Sequence, residues 1–507
     1  SLVGSEMCIR DSKKIDILSN SEKSSSKKIE NFIGGKFYKS QNNTISIYNP
    51  QEGKIIAEVI DSTNDDLDLA IKSAKSAYES WSKYTLKERA EVFYEFRNQL
   101  INNLDSLSKS IVDENGKTLD EARAEVLKGI ELTEFACSMP QIINDEIQEV
   151  SKGVECRSSH ESIGLVASIA PFNFPIMVPM WTIPNALILG NCMIFKPSEQ
   201  TPIGVSKIAE LLKLSGLPDG VFNVINGDKK IVEAICESED ISAVSFVGST
   251  KIAKLVYQLS TQNLKRCIAL GGAKNHLIVL PDADKDMASD DILASMSGCS
   301  GQRCMAASAM VGVGEVQEVI DMLVTKAKKM IPGKNLGSVI SKEAQKRIEN
   351  YIDEAEKEGA KIILDGRGTK VKGKENGYFI GPTILDYVSP KMKIAREEVF
   401  GPVLSIMRTN EIDEAIKIEN KSRYGNASSV YTQDGKLADY VTSQVSAGMV
   451  GINIGVPVPR EPFSFGGWNE SRFGVGDITG KSSINFWTRL KKRTTKWNKG
   501  AKKNWMS

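Results

Sequence analysis

Apolar and polar positions alternate along this chain with three different periods. Over 31–60 the alternation is short and is broken by the turn signals Asn49-Pro50 and Glu52-Gly53, which predicts brief strands. Over 65–102 and 104–134 apolar residues recur at helical spacing with charges on the outer face. A third regime then begins. Short apolar runs at 163–170, 192–195, 221–225, 243–247 and 267–270 alternate with amphipathic stretches at 176–189, 203–214, 229–237 and 251–260. Strands and helices in strict alternation build a parallel, doubly wound α/β sheet. After Asn275 a second series follows, with strands at 276–280 and 309–313 and helices at 288–296 and 316–330. Residues 361–380 are turn-rich, and the stretch from Ile484 is strand-like before it turns basic. No internal repeat or heptad run interrupts this order.

Composition narrows the class. With 507 residues, 41% hydrophobic and 25% charged, the chain has core material for two or three domains. A net charge of +1 gives no global field to draw nucleic acid or an anionic membrane. The most apolar stretch, 163–195, is punctuated by Pro171, Pro175, Pro179 and Pro184 and is no membrane span. Residues 1–12 (SLVGSEMCIRDS) read as an adaptor-derived scar, and 12–28, rich in Ser and Lys, as disordered. Acids within that lead and its lack of arginine speak against a mitochondrial transit peptide. The expected location is therefore the cytoplasm, with the mitochondrial matrix as the alternative.

The 8 cysteines include no CxxC pair and read as reduced thiols. The 2 histidines, His160 and His276, are too few for a histidine-rich metal centre, and no metal site is expected. Chemistry concentrates instead around Gly301-Gln302-Arg303-Cys304-Met305. A thiolate is the nucleophile of cysteine chemistry, and the adjacent Arg303 is expected to lower the thiol pKa. The bland alternative is a small buried hydrophobe.

Nucleotide chemistry has two candidate homes, although no GxGxxG opens the first βα unit. At Phe246-Val247-Gly248-Ser249-Thr250 a strand runs into a helix, where Gly248 allows close approach, Ser249 can cap, and the helix N-terminus attracts phosphate. At Lys196-Pro197-Ser198-Glu199 a strand ends with a cation and an acid, and Glu199 is suited to a ribose diol. Its carboxylate would repel a 2′-phosphate, favouring NAD over NADP. A capped helix and a surface ion pair are the plain structural readings of both.

Several motifs stand together in order: Ile169-Ala170-Pro171-Phe172-Asn173-Phe174-Pro175, Gly272-Ala273-Lys274-Asn275-His276, Gly301-Gln302-Arg303-Cys304-Met305-Ala306, Glu397-Glu398-Val399-Phe400-Gly401-Pro402 and Val456-Pro457-Val458-Pro459-Arg460-Glu461-Pro462-Phe463. On these, the chain resembles an aldehyde dehydrogenase from about Asn31 to Trp497. Within that superfamily it resembles the CoA-dependent methylmalonate-semialdehyde dehydrogenases.

The resemblance implies an α/β fold of two doubly wound parallel-sheet domains plus a small β oligomerisation arm. Residues 29–143 and 162–269 would form the NAD-binding domain and 270–480 the catalytic domain. Residues 144–161 and 481–498 would form the arm, 1–28 an unstructured lead and 499–507 a basic tail. It implies Cys304 as nucleophile, with the Asn173 amide and the Cys304 backbone N–H as oxyanion hole. Lys196 and Glu199 would hold the adenosine ribose, with Gln200 beside them, and Ser249 the pyrophosphate. Ala170, Phe172 and Gly271 would line the cofactor cleft, Glu398 would bind the nicotinamide-side ribose, and Phe400 would lie against the nicotinamide. The partners implied are a small semialdehyde, coenzyme A as cosubstrate, and copies of the chain in a dimer or tetramer.

Three departures bear on the reaction. Hydrolytic aldehyde dehydrogenases carry a glutamate just before the Gly-Gly-Lys motif, and the aligned residue here is Leu270. Without that base water attacks a thioester slowly, whereas a thiol needs less help, which favours transfer to CoA. Arg303 would pair with a substrate carboxylate. The second arginine that related semialdehyde enzymes use is Lys128 here, and the arginine after Lys-Pro-Ser-Glu is Gln200. Two rival readings are a hydrolytic enzyme releasing a free acid and a catalytically weak NAD-binding relative.

Overall fold

The computed structural model describes residues 27–497. The readings of residues 1–26 and 498–507, the unstructured lead and most of the basic tail, lie outside the described residues.

Two sheets dominate. The first has eight strands in the spatial order Arg472–Phe473, Arg266–Leu270, Ala243–Val247, Leu165–Ile169, Cys192–Lys196, Phe222–Val224, Asn31–Ile33 and Lys36–Tyr38. Its five central strands are parallel, and the outer ones join antiparallel. Leu165–Ile169 and Cys192–Lys196 are buried at every position, as strands covered by helices on both faces must be. The second sheet has seven strands: Lys361–Leu364, Thr383–Asp386, Val403–Thr409, Ala307–Val313, Asn275–Val279, Ala427–Tyr431 and Met449–Ile452. All are parallel except Lys361–Leu364.

Most predicted elements lie within a residue or two of the observed ones, and four details differ. The helical stretches 65–102 and 104–134 are each two helices: Asn64–Trp81 and Leu86–Asn102, then Leu104–Asn115 and Leu119–Cys137. The second helix of each pair starts at a capping box, in which the Thr85 and Thr118 hydroxyls accept the Glu88 and Glu121 N–H and those glutamates return the bond. The turn-rich region opens with the strand Lys361–Leu364. Ser483–Trp487 is helical, with Ile484, Phe486 and Trp487 buried in the large core, so the arm strand begins at Thr488. Lys27–Ile29 pairs with Ala57–Val59, which starts the ordered fold slightly before residue 29.

The domain division is also less clean than the linear reading. Arg472–Phe473, assigned by position to the second domain, completes the edge of the first sheet beside Ala269 and Leu270. The arm is a separate three-stranded sheet of Glu146–Ser151, Val154–Ser162 and Thr488–Lys496, with Ile147, Val150 and Leu490 exposed on it. No helix among the described residues is long and apolar enough to cross a membrane.

Candidate active site

The carboxyl ends of the first sheet's parallel strands face the loop that precedes Ala307–Val313 across a cavity of about 960 Å³. A switch point of this kind is where doubly wound sheets bind ligands. Every site residue named from the sequence lines this one cavity: Lys128, Ala170, Phe172, Asn173, Lys196, Glu199, Gln200, Ser249, Gly271, Arg303, Cys304, Glu398 and Phe400.

The nucleophile loop is built by backbone constraint. After the helix Lys285–Ser297 the chain passes through Cys299 and Ser300, both left-handed at φ 53°, and Gly301 at φ 68°. A Cβ on Gly301 would lie 2.0 Å from the Gly401 carbonyl oxygen, so only glycine lets the two loops approach. Left-handed non-glycine residues store strain, and they cluster here at a site that must hold one geometry. Two amides then fix the cysteine itself: Asn275 Nδ2 donates to the Cys304 carbonyl at 2.7 Å and Asn426 Nδ2 at 2.9 Å.

Burial dominates the electrostatics around Cys304. Burial pushes its thiol up to about 12, the Glu398 charge adds to this, and Arg303 only opposes it. The lowering expected of Arg303 is present but burial outweighs it. Arg303 Nη2 donates to the carbonyls of Ala294 (2.8 Å) and Ser295 (3.1 Å), capping the C-terminus of helix Lys285–Ser297, and Nε is buried without a partner. Arg303 is therefore partly engaged as a structural cap.

Asn173 is held from both ends. Its Nδ2 donates to the Gln302 carbonyl at 2.9 Å, which engages one of two amide protons and leaves the second for an oxyanion. Its own carbonyl accepts from Lys117 Nζ at 2.6 Å. Lys117 pairs with Glu125, with side chains only 2% and 1% exposed, and lies 3.8 Å above the Phe174 ring. The other oxygen of Glu125 accepts the N–H of Ile176 (2.8 Å) and Met177 (3.1 Å). One buried ion pair thus clamps the segment that carries Asn173. Sequence reading missed Lys117, Glu125, Asn275 and Asn426. Asn275 stood inside a quoted motif, and the run Glu114-Asn115-Gly116-Lys117 held a charge at a helix end, but neither signals burial.

The remaining groups suit a dinucleotide. At one end Lys196 Nζ, 4% exposed, pairs with the 40%-exposed Glu199 at 3.0 Å, leaving carboxylate oxygen facing the cleft. Gln200 donates its backbone N–H to Ser198 Oγ at 3.2 Å, and Ala170 N–H bonds the Lys196 carbonyl at 3.1 Å. In the middle, Ser249 is the N-cap of helix Thr250–Gln262, yet its side chain makes no capping bond, so hydroxyl and helix N-terminus are both available to phosphate. At the far end Glu398 accepts the Ala273 N–H at 2.9 Å, and a Cβ on Gly272 would fall 2.3 Å from its Oε2. Burial raises the Glu398 carboxyl to about 7 against that bond and the charges of Arg347, Lys274 and Arg423. Lys274, buried with Nζ unpartnered, is lowered to about 7 by burial while Glu398 opposes. Phe400, left-handed at φ 56°, meets Phe172 edge-on at 5.9 Å. A carboxylate, an open helix N-terminus and a second carboxylate along one cavity are groups of the kinds that ribose, pyrophosphate and ribose require.

Two further residues singled out from the sequence can be placed. Lys128 is already paired, with Glu461 at 2.8 Å and Glu131 at 3.1 Å. Leu270 is 4% exposed in the first core and does not line the cavity.

The aldehyde dehydrogenase family pattern matches residues 37–493. Malonate-semialdehyde dehydrogenase 2 of Bacillus thuringiensis (strain Al Hakam) is 40% identical over 481 residues, covering 93% of this chain and 98% of that protein. Malonate-semialdehyde dehydrogenase 1 of Geobacillus kaustophilus (strain HTA426) is 41% identical over 478 residues, at 93% and 98% coverage. Among solved structures, methylmalonate-semialdehyde dehydrogenase of Oceanimonas doudoroffii superposes with TM-score 0.92 at 39% identity, covering 94% of this chain and 99% of that one. A Sinorhizobium meliloti 1021 protein, assigned as a methylmalonate-semialdehyde dehydrogenase and complexed with NAD, gives 0.93 at 41%, again over 94% and 99%. Similarity carried along so nearly the whole length of these proteins settles the lineage: the chain belongs to the aldehyde dehydrogenase family.

Proposed function

We propose that this enzyme oxidises malonate or methylmalonate semialdehyde with NAD and passes the acyl group, after loss of CO2, to coenzyme A. The carrying observation is the single cavity that joins Cys304 and the free Asn173 amide proton to Glu199, Ser249 and Glu398; the apolar Leu270, at the position where the resemblance puts a hydrolytic enzyme's base, supports acyl transfer.

NAD, when bound, supplies the hydride acceptor; Glu199, Ser249 and Glu398 would hold it. The chain's own residues do the rest. Cys304 Sγ adds to the aldehyde carbon as thiolate, and Asn173 Nδ2 with the Cys304 N–H stabilises the oxyanion. Collapse of the oxyanion expels hydride and leaves a thioester on Cys304. The carbon–carbon bond to the substrate carboxylate breaks, CO2 departs, and its electron pair moves into the thioester carbonyl before protonation at carbon. The CoA thiolate then attacks the thioester and Cys304 thiolate leaves, giving acetyl-CoA or propionyl-CoA. We further read the exposed arm sheet as the surface through which copies assemble, as dimer or tetramer.

The test is NADH formation from both semialdehydes with and without CoA, with products identified by mass spectrometry. Sustained turnover only with CoA is expected. Steady turnover to a free acid without CoA would overturn the acyl-transfer step in favour of hydrolysis.

A further inference from the structure

We infer that Arg460 receives the substrate carboxylate and sets the preference for acidic aldehydes. This rests on the reading of the substrate as a semialdehyde acid, and it names a residue outside the pair taken from the resemblance.

Each cation of that pair is already partly engaged. Lys128 sits between Glu461 and Glu131, so an arriving carboxylate meets an ion pair with an excess negative charge. Arg303 has Nη2 on two backbone carbonyls. Arg460 lines the same cavity and is exposed, and among the described residues its side chain makes no hydrogen bond or ion pair. Its planar fork is therefore wholly available, and guanidinium meets carboxylate bidentately.

The backbone beneath it is fixed. The Arg460 carbonyl accepts the Phe463 N–H at 3.0 Å, and the Pro462 carbonyl accepts the Lys481 N–H at 2.8 Å. Upstream, Ser295 Oγ donates to the Gly455 carbonyl at 2.7 Å, tying this loop to the helix that Arg303 caps. Phe465 stacks on Trp181 with ring centroids 4.5 Å apart. The tethered backbone brings an unengaged guanidinium to the cavity wall, where it can meet an anion.

The experiment compares kcat/KM for malonate semialdehyde and for propanal, at saturating NAD and CoA, in the wild type and in Arg460→Met, Arg460→Lys and Lys128→Met. The wild-type ratio should favour the semialdehyde strongly. Arg460→Met should collapse that ratio by ten- to a hundredfold, the order of one charge-assisted contact, chiefly through KM. Arg460→Lys should restore part of it, and Lys128→Met should change it less. An Arg460→Met ratio equal to wild type, or a larger collapse in Lys128→Met, would overturn the assignment. A wild type that does not distinguish the two aldehydes would instead refute the semialdehyde reading beneath it.

Discussion

Replacing Lys117 with methionine separates structural from catalytic roles of the clamp under Asn173. In the wild type Lys117 and Glu125 are almost wholly buried and paired, and Lys117 also holds the Asn173 carbonyl. Lys117→Met leaves the Glu125 carboxylate buried with only the N–H groups of Ile176 and Met177. An orphaned buried charge of this kind destabilises by about 3–5 kcal/mol. Removing an oxyanion donor outright lowers kcat by about 10²–10³-fold. Freeing that donor without deleting it should give a smaller loss, on the order of tenfold, with little change in the KM for NAD. Lys117→Met/Glu125→Leu removes both charges, and because apolar replacement of a buried pair is often neutral, most of the thermal stability should return. The rate should not return, since nothing then holds the Asn173 carbonyl. Differential scanning fluorimetry and steady-state NADH formation read the two effects. Recovery of kcat alongside stability in the double variant, or loss of stability with unchanged kcat in the single, would refute the positioning role.

Other expectations follow from the same geometry. Asn173→Ala should reduce kcat by about 10²–10³-fold while leaving the fold intact, measured by steady-state kinetics and circular dichroism. Glu398 has its carboxyl raised to about 7 by burial, so it is neutral below that pH and an ionised diol acceptor above it. NAD affinity, measured by calorimetry, should therefore strengthen as pH rises through that region, and Glu398→Gln should flatten the profile. Burial likewise lifts the Cys304 thiol to about 12, so alkylation by iodoacetamide in the free enzyme should be slow at neutral pH and climb steadily up to that value. Bound NAD, which brings a cationic ring, should move that rise to lower pH; an unmoved profile would mean that another group activates the thiol.

Much of the fold is legible because α/β periodicity is strong locally. The strand Ala243–Val247 and the helices Ile203–Leu214 and Lys229–Glu237 lie where the apolar pattern places them. What is lost is what depends on distant partners. Arg472–Phe473 is two residues long and becomes a strand only because Ala269–Leu270 offers an open edge. Ile484–Trp487 reads as strand, yet burial of Trp487 and Phe486 against the core is satisfied by a single helical turn. The site divides the same way. Cys304, Asn173 and Glu398 lie in motifs whose composition speaks for chemistry, and the cavity gathers them. Charge in a sequence carries no address, however. Arg303 lowers the Cys304 thiol as its charge predicts, but burial outweighs it while its Nη2 caps a helix, and Lys128 is paired with a glutamate 333 residues away.

The acyl-transfer account turns on one species, a thioester on Cys304. Enzyme mixed with NAD and malonate semialdehyde without CoA, quenched in acid and digested, should yield the Cys304 peptide as an acetyl adduct, formed in step with a single burst of NADH. Adding CoA before the quench should discharge that adduct and release acetyl-CoA. An unmodified Cys304 peptide during continued NADH production, or an adduct that CoA leaves in place, would contradict the account.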